Sequence, residues 1–293
     1  MRRKRSSSAS DRRASPEAGL DCATAFRKIA QGCVDDISVH HGGACAGGPE
    51  EVHQIRVAFT RLRAVVSFFA SIAADVKWLR LKKEIAWLDA SLGAARDSDV
   101  MLEYSHRKRY RAWAKRRIGD DLDQRRIRDQ RRLVRCLHAI RFQRLMGELS
   151  GWVKYGASCR QRDLAAHGRT EPLNGYCARE LDRRCRRLAR KGRHLLTMGG
   201  TRRHRLRIRA KRLRYVLEAL TGSGALCAGG KYRHMRRRAK RLQQVLGDLR
   251  DLKRFAELEA TGNGKAGKSR PPGYRRQREK LLNAAVEACR GLS

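Results

Sequence analysis

The chain has 293 residues, enough for one large domain or two fused halves. Lys and Arg number 69 against 29 Asp and Glu, a formal net charge of +40. An imbalance of that size drives a compact state apart unless a polyanion neutralises part of it, so the expected partners are nucleic acid, polyphosphate or an anionic membrane surface. Nine cysteines form an odd set without a C-x-x-C pair, which argues against a disulfide framework or a cysteine zinc site and for reduced, structural thiols. The most apolar run, Ala64 to Ala74, is too short to cross a bilayer.

Residues 1–19 are basic and Ser-rich with no apolar stretch behind them, which reads as a disordered tail rather than a secretory signal. From about Leu20 onward, a sequence rich in Arg, Leu, Ala, Lys and Glu with five prolines predicts an all-α fold. Clusters of Gly and Pro predict breaks at His41 to Pro49, Gly168 to Gly175, Met198 to Thr201, Thr221 to Gly230 and Thr261 to Gly273. Between the first breaks, Asp120 to Val153 reads as one or two long helices that send Leu133, Leu137, Ile140 and Leu145 to a core.

Two motifs occur twice in the same order. HQIRVAFTRLR (53–63) matches HRLRIRAKRLR (204–214) at five of eleven positions, and LDASLGAARDSD (88–99) matches LQQVLGDLRDLK (242–253) at five of twelve. The offsets, 151 and 154, imply two related helical halves.

At about 100° per residue, His53, Arg56, Thr60 and Arg63 share an arc of roughly 80°, as do His204, Arg207, Lys211 and Arg214. Ile55, Phe59, Leu62 and Val66 form the opposite apolar stripe in the first copy, and Leu206, Leu213 and Leu217, with Leu220 nearby, form it in the second. Each helix therefore buries one face and presents a basic ridge about 15 Å long, which suits an extended anion better than a single phosphate.

In the second motif, Leu92-Gly93 and Leu246-Gly247 read as points of close helix approach or helix ends, and Asp97 as a cap for a following helix. Lys82 and Lys83 align with Arg236 and Arg237 and extend the basic surface, whereas Arg107 to Arg117 and Arg125 to Arg132 read as solvated faces.

Catalytic patterns fail on context. Residues 262–269 spell G-x-x-x-x-G-K-S, but a charged helical segment precedes them and Arg-Pro-Pro-Gly follows, where a phosphate loop needs a strand and then a helix. Asp97 with Asp99 and Asp248 with Asp251 could suggest a divalent metal, but Asp99 aligns with Lys253 and Asp248 with Ala94, so neither pair recurs. The expectation is a chain with no enzyme activity, no cofactor and no metal.

His53 to Arg63, His204 to Tyr215 and the paired LG-x-x-RD segments resemble the conserved histidine α-helical domain, CHAD. The resemblance covers about residues 20–290, with halves at 20–165 and 175–290. It implies two pseudo-symmetric four-helix bundles whose basic helices line a surface or pore that binds inorganic polyphosphate. The positions it carries over are His53, Arg56, Arg61, Arg63, His204, Arg207, Lys211, Arg212 and Arg214, with Lys83 and Arg237 at the margin. Thr60 stands where the family has Arg or Lys, which points to a weaker first copy. Nucleic acid on the same surface is the alternative ligand. Neither a membrane span nor an obligatory protein partner is expected. The location implied is the cytoplasm, with recruitment to polyphosphate granules open.

Overall fold

The computed structural model describes residues 21–108, 110–117, 121–156, 172–224, 226, 229–257 and 270–292. The basic tail (1–19), the P-loop-like stretch (262–269) and the first half of the break at 168–175 lie outside the described residues. Every regular element among those described is helical: α1 (Cys22–Cys45), α2 (Pro49–Phe68), α3 (Ala70–Ala73), α4 (Val76–His106), α5 (Arg111–Arg117), α6 (Asp121–His138), α7 (Ile140–Gly151), a π-helical turn (Trp152–Gly156), α8 (Leu173–Gly192), α9 (Gly200–Gly222), α10 (Gly230–Glu257) and α11 (Tyr274–Arg290). None of these helices is long and apolar enough to cross a membrane.

Local chemistry sets the helix ends. Asp21 caps α1 by accepting from the Ala23 and Thr24 amides at 2.8 Å. The helix then runs through Gly42 and Gly43, so the break predicted from His41 narrows to Ala46–Gly48, where Gly47 takes φ +87° and Pro49 opens α2. Asp75 caps α4 through the Trp78 amide at 2.6 Å and also accepts from Trp152 Nε1 at 3.3 Å, which ties the π turn to the start of α4.

Packing follows the predicted stripes. Ile55, Phe59, Leu62 and Val66 are no more than 1% exposed, and Leu206, Leu213, Leu217 and Leu220 no more than 2%. Burying each such side chain is worth about 1.5–3 kcal/mol relative to leaving it exposed. One expectation fails. Ile140 is 65% exposed because the chain breaks at Ala139 without Gly or Pro, α7 starts in a new rotational phase, and Phe142 is buried instead.

Burial also recurs at the sequence offsets. Cys22, Phe26, Ile29, Ala30, Val34 and Ile37 of α1 are buried, and so are Leu173, Cys177, Glu180, Leu181, Cys185 and Leu188 of α8, each 151 residues later. Ile85, Leu88, Leu92 and Met101 of α4 have buried counterparts in Ala239, Leu242, Leu246 and Phe255 of α10, 154 residues on. In space α1 packs on α2 and α4 on α6, while α10 packs on both α9 and α11; α2 meets α9 and α4 meets α10 at the junction.

Candidate polyanion cleft

The junction of α2 and α9 opens on a cleft of about 1060 Å³. Helix α2 supplies Arg56, Thr60 and Arg63, and α9 supplies His204, Arg207, Lys211 and Arg212. Helix α4 adds Lys82, Lys83, Asp89 and Asp97, α6 adds Arg125, and α10 adds Arg250 and Arg254. The apolar stripes of α2 and α9 face their cores, and Arg56 and Arg63 of one ridge meet His204, Arg207 and Lys211 of the other in this space.

Lys211 stands at its centre. Its Nζ donates to Thr60 Oγ1 at 3.3 Å, and Thr60 Oγ1 donates to the Arg56 carbonyl at 2.8 Å. Burial, reinforced by the charges of Arg56, Arg207 and Arg63, pushes the Lys211 ammonium down to about 7 from its usual 10.5. Arg56 and Arg207 are also held below the usual range, burial again being the largest cause. Arg207 Nε is buried without a hydrogen-bond partner. Its guanidinium lies across α10 at Gly247, where an added Cβ would sit 3.3 Å from Nε.

Two carboxylates among the described residues line this cleft, and both are engaged. Asp89 accepts from Arg63. Asp97 lies 2.5 Å from Arg254 and 3.7 Å from Arg250, so a first-half acid holds two second-half arginines. Asp251, at the position equivalent to Asp97, is raised above the usual carboxylate range by burial, against the pull of Arg207 and Arg250.

Of the site residues expected from sequence, Arg56, Arg63, Lys83, His204, Arg207, Lys211 and Arg212 line this cleft. His53 does not line it and is half-buried beside it; burial and the charge of Arg96 lower its pKa. His204 is lowered likewise by burial and by Arg250, the counterpart of Arg96, so both surroundings favour the neutral imidazole. Arg61 turns to α1 and pairs with Asp36 at 2.7 Å. Arg214 lies over the Tyr215 ring and 3.5 Å from Glu218. Arg237 is exposed on α10 away from the cleft walls.

Sequence reasoning passed over Asp89, Asp97, Arg125, Arg250 and Arg254 as cleft residues. For Asp97 and Arg250 the signal was present, since the second motif repeats an Arg-Asp pair at 96–97 and 250–251. That motif neither ends nor caps a helix. Gly93 and Gly247 lie inside α4 and α10, and Asp97 lies within α4 as an arginine partner. Asp99 pairs with Arg126 at 2.8 Å, and no cluster of three or more His, Cys, Asp or Glu capable of holding a metal occurs among the described residues.

An all-helical chain organised around a basic interhelical cleft is therefore the class defined by fold and site. The chain belongs to the CHAD domain family, whose pattern it matches over residues 28–258. A crystal structure of the CHAD domain from the plant Ricinus communis superposes with a TM-score of 0.72 at 25% identity, over 96% of this chain and 95% of that one. PptA from Streptomyces chartreusis shares the fold at a TM-score of 0.64 and 17% identity, over 94% of this chain and 99% of that one. No curated protein matches the sequence.

Proposed function

We propose that this chain binds inorganic polyphosphate without turning it over, holding an extended phosphate chain in the cleft between α2 and α9. The carrying observation is the imbalance inside the cleft, where, among the described residues, ten Lys and Arg side chains face two carboxylates. A ligand with one negative charge at every link meets that demand along its length, and the forked arginines suit phosphoryl oxygens. Both carboxylates are already engaged by arginines. Family membership adds support. On this reading the protein works in the cytoplasm and collects on polyphosphate granules.

Single-stranded nucleic acid on the same surface is disfavoured. Base stacking needs accessible rings, and Phe59, Phe68 and Tyr215, the aromatics of α2 and α9, are buried. The test is competition between polyphosphate and DNA matched in phosphate count at one stated salt concentration. Preference for polyphosphate is expected, and equal competition overturns the assignment. Shortening of labelled polyphosphate in the presence of a divalent metal would overturn the non-enzymatic part.

A further inference from the structure

The two halves treat one pair of positions in opposite ways. In the first half Arg61 of α2 pairs with Asp36 of α1 at 2.7 Å. At the offset of 151 residues the same positions are Arg212 of α9 and Arg187 of α8, so an acid–arginine pair has become two arginines. The register is fixed by burial, since six core positions of α1 recur in α8 at that offset.

Arg187 and Arg212 line a separate pocket of about 190 Å³, together with Arg209, which replaces Ala58 of the first half. The one acid there among the described residues is Glu180, 8% exposed, and it is already occupied: Arg183 Nε donates to it at 2.6 Å and Arg184 Nε at 2.7 Å. Arg184 also donates to the Ser67 carbonyl at 2.5 Å. Arg187, Arg209 and Arg212 thus converge on one space with no carboxylate left for them among its walls. Like charges held together in this way call for an anion between them. Arg212 lines both this pocket and the central cleft, so its side chain borders both spaces.

We infer that α8 and α9 form a second anion site, in which a phosphoryl group takes the place that the Asp36 carboxylate holds in the first half. The group belongs to the same polyphosphate chain as it leaves the cleft past Arg212. This rests on the proposed function and adds to it a preference for chains long enough to span both spaces.

The experiment compares tripolyphosphate with long-chain polyphosphate on the intact protein, unaltered and carrying R187Q with R209Q. Both arginines are exposed, so the fold is not at stake. Expected is a loss of about tenfold in long-chain affinity with tripolyphosphate affinity unchanged. R187D, which restores the first half's pairing with Arg212, is expected to give the same selective loss together with a higher Tm. Unchanged long-chain binding in both variants, or equal losses at both lengths, overturns the inference and leaves the proposed function standing. Failure of the unaltered protein to bind either ligand overturns both.

Discussion

Lys211 Nζ donates to Thr60 Oγ1 at 3.3 Å, and the two residues occupy the same position of the repeated motif, 151 residues apart. The site thus closes on its own repeat. At that position of the first copy a hydroxyl accepts a hydrogen bond from the Lys211 ammonium, where a second lysine would add to the repulsion.

Replacing Lys211 with Met should separate binding from stability. The ammonium is buried beside Arg56, Arg207 and Arg63, so removing its charge relieves repulsion and raises Tm in the free protein. Polyphosphate affinity should fall about tenfold or more, equivalent to about 1.4 kcal/mol. Titration calorimetry and thermal melts in one buffer give both readings. A parallel fall in Tm and affinity would contradict the assignment.

Polyphosphate affinity should decline as pH rises through 7. The free folded protein releases the Lys211 proton near 7, whereas the unfolded chain keeps it to about 10.5. Between those values the unfolded state binds more protons, so the stability of the free protein rises with pH across that window. A bound polyanion favours the charged ammonium, so binding takes up a proton above pH 7 and weakens as pH increases. His53 and His204, both lowered, add uptake on the acid side of their usual 6.5. Calorimetry in buffers of different ionisation enthalpy measures the uptake directly. Binding that is flat in pH from 6 to 9 would rule the coupling out.

Asp97→Asn should tighten polyphosphate binding while loosening the fold. Its carboxylate occupies Arg254 and Arg250, the groups an incoming phosphate would engage. Loss of that charge frees them, with an expected gain in affinity of about threefold to tenfold. It also removes a link between α4 and α10, lowering Tm by about 2–4 °C for each kcal/mol lost. Anisotropy of labelled polyphosphate checks the first effect and calorimetric melting the second.

Two glycines of the repeated LG pair should respond differently to Ala. A Cβ at Gly93 meets nothing within 4 Å, so G93A should stabilise α4 by about 0.5–1 kcal/mol through helix propensity. At Gly247 the new methyl would sit 3.3 Å from Arg207 Nε and shift that guanidinium by a few tenths of an ångström. Affinity should then fall about threefold, with a smaller gain in stability. Identical behaviour of the two variants would show that Arg207 tolerates the displacement.

The helical class, the buried stripes and the core of the cleft were legible because 3.6-residue periodicity and an internal repeat are both local signals. Arg56, Arg207 and Lys211 fell on the correct arc from spacing alone. Rotation past Ile140 was not legible, since Ala139 interrupts the helix with neither Gly nor Pro to mark it. Nor was the fate of Arg61, whose partner Asp36 lies on another helix and draws it off the cleft. The inward carboxylates were hidden for a related reason: Asp97 looks like a cap in one dimension and meets Arg254 only once α4 and α10 have packed. Pairing across helices is a tertiary property that no single window of sequence holds.

A linear phosphate chain reads the same from either end. Arg56 and Arg207 stand at equivalent positions on opposite helices of the cleft, so a chain entering head first or tail first meets the same guanidinium. On the proposed function, either terminus of such a chain can begin the encounter.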